Sequence, residues 1–276
     1  MRVALIPTAN PKEPESYLQE QSRNDVKYLP MELFAEIISS LPEGEIRDVC
    51  IGLNWTAVVV DVGGNIQCGL ASTLGGTHDH SADPGVPMAG QLLGMPSSAL
   101  LADIDAGDSP RMSLAMATLN ATLPRQPETW TELNAVDVIV DQGREARIAL
   151  IGHFPFVDKL RARVDHLDVI DYNPLKGDLP AEAAPEVLPN ADFVAITGLT
   201  LLNGTFDSLL ALCSPRARVM MLGPSTPLSP VMFDHGVDIL AGSIVENIEE
   251  VLRVVSQGGN FRQVRKAGVR LVTQTG

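Results

Sequence analysis

The second half of the chain alternates short apolar runs with helix-like segments, and this order restricts the fold more than any other feature of the sequence. Strand-like runs at residues 147–151, 167–170, 192–196, 218–222 and 237–240 are each followed by a helical segment, at 156–164, 181–188, 205–212, 230–234 and 244–255. Near-continuous apolar strands separated by helices are buried on both faces. They predict a parallel sheet with right-handed crossovers and every strand C-end on one edge. Ligands of such sheets bind along that edge. The loops expected there are residues 152–156, 171–176, 197–204, 223–229 and 241–243.

The first half has a different pattern. Tyr17, Leu18, Val26, Leu29, Leu33, Phe34, Ile37 and Ile38 fall near helical spacing, and Pro30 divides them into two helices. Strands are expected at 46–52, 56–61 and 66–72, with Gly63-Gly64-Asn65 as a tight connection, which makes a small antiparallel meander. An Ala-rich helix at 113–121 and a linker at 124–131 follow. The expected class is therefore α/β, with a small α+β domain at residues 1–125 and a doubly wound parallel sheet at 126–276.

An apolar content of 45% over 276 residues supports a well-cored fold, and a formal charge of -14 leaves no basic face for nucleic acid or an anionic membrane. Without an apolar run of roughly 18 residues, no membrane insertion is expected and the location read from the sequence is cytoplasmic. Cys50, Cys68 and Cys213 read as reduced core thiols; a soft-metal site shared by Cys50 and Cys68 on neighbouring strands is the minor alternative.

The chemistry should lie on the carboxyl edge. Gly152-His153-Phe154-Pro155 opens the first loop, but it lacks the G-x-G-x-x-G pattern that lets a backbone approach a pyrophosphate, so a dinucleotide is not expected. Asp171, with Asn173 beside it, ends the second strand where such folds hold a ribose or similar diol. His153 is the candidate acid, base or ligand, against the alternative of a helix-entry histidine bonded to backbone. Thr197, Gly198, Thr200, Asn203 and Thr205 precede a helix, and Gly223, Pro224, Ser225 and Thr226 lie beside them. Together these loops suit a polar or anionic ligand, while each alone reads more readily as turn or cap residues. Asn54 and Asn120 are the first domain's candidates for lining the junction. His78, His80 and Asp83 have the donors a divalent metal accepts, or are a solvated polar loop. His166 and His235 read as structural, and the acidic residues 246–250 complement a helix dipole.

Several blocks taken together resemble the "putative heavy-metal chelation" family over nearly the whole chain. They are Gly52-Leu53-Asn54-Trp55-Thr56, the helix 113–121 ending Leu119-Asn120-Ala121, Gly152-His153-Phe154-Pro155-Phe156, residues 197–205, and Gly223-Pro224-Ser225-Thr226-Pro227-Leu228. The resemblance implies an enolase N-terminal-like domain followed by a Rossmann-like domain, with a pocket at their junction, in a homodimer. The chain departs from it at Asp171, where the family often has Glu, and in its extended N-terminus.

The expected function is binding of a small polar metabolite or metal chelate at the junction. If the chain is an enzyme, group transfer, condensation or hydrolysis on a siderophore- or pterin-like compound fits, with His153 as acid/base and Asn203 and Thr197 orienting substrate. Asp171 could hold a nucleoside cofactor resembling S-adenosylmethionine. The alternative is a non-catalytic scavenger of a divalent transition metal or its chelate, using His78, His80 and His153.

Overall fold

The computed structural model describes residues 30–75, 85–107, 109–132, 135–143 and 145–276. Helix α1 (Pro30–Ser39) begins at the proline where the sequence expects a break, and buries Leu33, Phe34 and Ile37 on one face. The helix expected before it, and the loop carrying His78, His80 and Asp83, lie outside the described residues.

Strands β1 (Glu45–Ile51), β2 (Trp55–Val62) and β3 (Asn65–Ser72) form the expected meander, in the order β1-β2-β3. Gly63 and Gly64 make its two-residue turn with φ of 59° and 91°, a backbone region open to glycine at no steric cost. Helix α2 (Ser97–Leu101) and helix α3 (Pro110–Thr122) follow. Ser109 caps α3 by accepting a hydrogen bond from the Met112 N–H. Helix α3 lies so close across β3 that a Cβ on Gly69 would stand 2.1 Å from the Ala117 carbonyl oxygen.

The second half contains helix α4 (Ala135–Gly143), strand β4 (Arg147–Ile151), helix α5 (Val157–Arg161), strand β5 (His166–Asp171) and the short strand β6 (Leu179–Pro180). After these come α6 (Ala184–Val187), β7 (Phe193–Thr197), α7 (Leu199–Leu202), α8 (Phe206–Leu212), β8 (Arg218–Leu222) and α9 (Val231–Asp234). Strand β9 (Ile239–Val245), helices α10 (Ile248–Ser256) and α11 (Phe261–Lys266), and strand β10 (Val269–Thr275) complete the chain. The sheet order is β10-β9-β8-β7-β4-β5-β6. Strands β9 to β6 are parallel, and β10 is added antiparallel at the edge.

Alternate residues of each strand face opposite layers. Ile148, Leu150, Val169 and Phe193 pack against α4 and α5, while Ala149, Ile151, Val194 and Ile196 belong to the core on the other face. This is the doubly wound α/β arrangement expected. Three details differ from the expectation. Residues 241–243 are not a loop but continue β9, which projects past the carboxyl edge. The helix expected at 181–188 is reduced to α6 between two short 3-10 turns. The sequence reading also passed over α2, α4, α7, α11, β6 and β10.

The small sheet is a layer between two sets of helices. One face joins Val58, Val60 and Ala71 to the α1 and α3 core, while Ala57, Val59, Cys68 and Leu70 pack on Val251, Val255 and Val264 of α10 and α11. Burying each of these valine and leucine side chains contributes roughly 1.5–3 kcal/mol. Both halves therefore share core, and the small sheet is held against the end of β9. No helix among the described residues is long and apolar enough to cross a membrane.

Candidate functional site

The strand order reverses between β4 and β7, the point on the carboxyl edge where sheets of this kind bind their ligands. Gly152 follows β4 with φ of 100°, and a Cβ there would stand 3.2 Å from Thr197 Cβ. A side chain at this point would be strained and would crowd Thr197.

His153 turns away toward β5. Its Nδ1 lies 2.7 Å from Asp178 Oδ2, and Asp178 Oδ1 lies 3.1 Å from Arg161 Nη2. The Leu175 N–H donates to the same Asp178 Oδ2 at 3.0 Å. The Asp178 side chain is 1% exposed and the His153 side chain 28%. Burial by itself would raise the Asp178 pKa, but the hydrogen bonds from His153, Leu175 and Arg161 outweigh it and hold the carboxyl below its ordinary range. An ionised Asp178 makes Nδ1 the donor, and in the neutral ring that tautomer turns the Nε2 lone pair outward, which is the orientation a general base or metal ligand needs. Asp178 is a partner that the sequence did not reveal. It stands 25 residues from His153 in a turn of no distinctive composition, and only the β5–β6 connection brings it back.

Asp171 is engaged with backbone. Its Oδ2 accepts from the His153 N–H and its Oδ1 from the Asn173 N–H, each at 2.8 Å. These bonds tie the first two loops of the edge together. Asn173 and Tyr172 are exposed, and Phe154 stacks on Phe156 with ring centroids 5.1 Å apart.

The next loop is also locally bonded. Thr200 Oγ1 donates to the Thr197 carbonyl at 2.7 Å, and Thr197 Oγ1 accepts from the Leu199 N–H at 3.3 Å. Asn203 Oδ1 accepts from the Thr205 hydroxyl at 2.7 Å and the Thr205 N–H at 3.2 Å. Gly198 is packed backbone to backbone against the following loop, since a Cβ there would stand 2.8 Å from Thr226 N. That loop, entered through Gly223 with φ of 113°, reaches the small sheet: Ser225 Oγ accepts from the Ser72 N–H at 2.9 Å and donates to Ser72 Oγ at 3.2 Å. Asn54 clasps another part of the junction, donating to the carbonyls of Gly258 at 3.0 Å and Gly259 at 3.3 Å.

The junction holds one set of polar groups whose bonding is incomplete. Asn120 Nδ2 donates to the Leu70 carbonyl at 2.9 Å and, more weakly, to the Pro224 carbonyl at 3.5 Å. Its Oδ1 is buried without a protein partner among the described residues, and so is Thr226 Oγ1, on a residue 2% exposed. Both residues line a cavity bounded by Gln67 and Cys68 of β3, Arg125 and Trp130 of the connecting segment, and Ser243 of β9. Its volume, about 20 Å³, admits about one water molecule. His153 is not among the lining residues. Larger hollows lie elsewhere: an apolar one of about 340 Å³ between α1 and α2, and a groove of about 800 Å³ between α4 and β10. Neither draws a lining residue from the loops of the carboxyl edge.

Cys50 and Cys68 sit on β1 and β3, which both pair with β2 and not with each other, a correction to the expected neighbouring strands. All three cysteines are free; burial pushes the Cys68 thiol up to about 12 and the Cys213 thiol to about 11. Among the described residues no three His, Cys, Asp or Glu side chains are grouped to hold a metal ion.

Two family models match the chain, both described as "putative heavy-metal chelation": DUF4213 over residues 34–123 and DUF364 over residues 134–273. A solved DUF364-family protein of unknown function from Desulfitobacterium hafniense DCB-2 is similar, with a TM-score of 0.74 and 24% identity over 90% of this chain and 98% of that one. Another, from Pyrococcus horikoshii, has a TM-score of 0.71 and 19% identity with the same coverage. These likenesses establish the fold. A search of curated proteins finds no match. With its second half matched by one model and most of its first by the other, the chain belongs to the DUF364 family of "putative heavy-metal chelation" proteins, with the DUF4213 domain preceding it.

Proposed function

We propose that the chain binds a small polar molecule, free or already complexed to a metal, at the junction cavity between the loop after β8, α3 and β3. The observation that carries this reading is that Thr226 and Asn120, whose Oγ1 and Oδ1 are buried without a protein partner among the described residues, line the same cavity. Leaving a buried polar group unmade costs about 1–3 kcal/mol, so a fold that retains two of them beside one cavity has a use for them. The donors here are an amide, hydroxyls and a guanidinium. These recognise the organic part of a chelate more readily than a bare metal ion, and the family description fits a metal arriving as cargo in such a complex.

Proton transfer on this edge falls to His153. It follows β4, two strand spacings from β8, and its ring turns toward β5, so roughly 10 Å or more separates it from the loop after β8. A ligand spanning that distance would meet an imidazole oriented by Asp178; a shorter one would be bound without chemistry. The group transfer, condensation or hydrolysis open to such a site is a consequence of ligand length.

The test is to purify the untagged chain and analyse it for metals and, by native mass spectrometry, for retained small molecules. The reading predicts an organic species, with or without metal, that is reduced in Thr226→Val. A stoichiometric bare metal retained in Thr226→Val and lost in His78→Ala/His80→Ala would replace it with the scavenger reading.

A further inference from the structure

We infer that the junction cavity takes a small carboxylate whose neighbouring carbon carries a hydroxyl or amino group, with Arg125 as the counter-ion; this rests on the reading that the cavity binds a ligand. Arg125 stands at the cavity mouth and is held there by two neutral partners, donating from Nε to Gln67 Oε1 at 2.9 Å and from Nη2 to the Val245 carbonyl at 3.2 Å. Among the described residues it forms no ion pair. Arg270 is near enough to oppose its charge, and is itself engaged by Glu246 at 3.0 Å and Glu132 at 3.2 Å. Arg125 is exposed along part of its length, and partial burial lowers its pKa, opposed by attractions to Cys68 and, more weakly, Glu246. Arg216, Arg218, Arg262 and Arg265 also stand without an ion pair among the described residues, but of these five arginines Arg125 is the one that lines the junction cavity.

The two unpartnered atoms define the rest of the ligand. Thr226 Oγ1 can donate to a carboxylate oxygen, while Asn120 Oδ1 can only accept and so requires an O–H or N–H from the ligand. One anionic group and one adjacent donor satisfy all three residues. A plain carboxylate leaves Asn120 unmet, and an uncharged hydroxy amide leaves Arg125 unmet. At about 20 Å³ the cavity must open to admit such a group, and the segment that carries Arg125 and Trp130 forms its outer wall.

The test titrates the isotopically labelled full chain with sodium glycolate, sodium acetate and glycolamide, following the Arg125 Nε–H and the Thr226 and Asn120 amide signals. Glycolate should shift all three saturably, acetate should bind more weakly, and glycolamide at least ten-fold more weakly. Arg125→Met should reduce glycolate affinity ten-fold or more, and Arg125→Lys should recover part of it. Equal binding of glycolate and glycolamide, or an unchanged affinity in Arg125→Met, overturns the inference while the junction remains a ligand site. Failure of every probe to shift Thr226 and Asn120, together with no copurifying molecule, overturns both.

Discussion

Replacing Thr226 by valine tests the junction through stability alone. The side chain is 2% exposed, and its hydroxyl has no protein partner, so the free protein carries the cost of burying an unmade hydrogen-bonding group. That cost is about 1–3 kcal/mol. Valine has nearly the same shape and adds no polar atom. Part of the gain is offset because the methyl is wider than the hydroxyl and Gly198 lies close, a Cβ at that position being 2.9 Å from Thr226 Oγ1. The net expectation is a stabilisation of about 1 kcal/mol, or roughly 2–4 °C in Tm for a chain of this size. Calorimetry on ligand-free wild type and Thr226→Val measures it directly. A residue that lowers stability where it stands is one retained for function. A fall in Tm of about 2 °C or more would refute the reasoning, because it would mean that the hydroxyl is satisfied in the free protein by a structural water.

Other consequences follow from the same geometry. Asp178→Asn keeps one acceptor for His153 and Leu175 but turns an amide N–H₂ toward Arg161, and should lower stability by about 2 kcal/mol in urea unfolding. Since the folded pKa of Asp178 is depressed below its ordinary value of 3.8, the wild-type advantage should be full above about pH 4 and lost as pH falls through the folded pKa; an advantage that instead grew in acid would contradict the assignment. Gly198→Ala should displace the loop carrying Thr226, visible as shifted Ser225 and Thr226 amide signals, with Ser72 moving through its bond to Ser225. Cys68, with its thiol pushed up to about 12, should resist iodoacetamide at pH 8 in the folded chain and react once unfolded.

What could be read from the sequence followed from burial. Strands β4, β7 and β8 are apolar runs because both their faces are covered, and the meander was marked by Gly63 and Gly64. The end of β9 was misread as a loop because Ala241, Gly242 and Ser243 are small. They are small for a tertiary reason: a Cβ on Gly242 would stand 2.9 Å from Leu228, so the strand is narrowed where the loop after β8 crosses it. The loops after β4, β5, β7 and β8 lie at the carboxyl edge as expected, but the sequence could not separate them. His153 and Thr226 both read as edge residues, and only the strand order places β4 and β8 two positions apart. Asp178 and Arg125 were passed over for the same reason. One sits in a turn and the other in a linker, and each gains a role only through residues distant in sequence.

The most direct test of the account is a crystal structure of the untagged chain as purified, read at the junction cavity. The account predicts density for an organic molecule within hydrogen-bonding distance of Thr226 Oγ1 and Asn120 Oδ1. A closed cavity holding a single water that satisfies both atoms would contradict it.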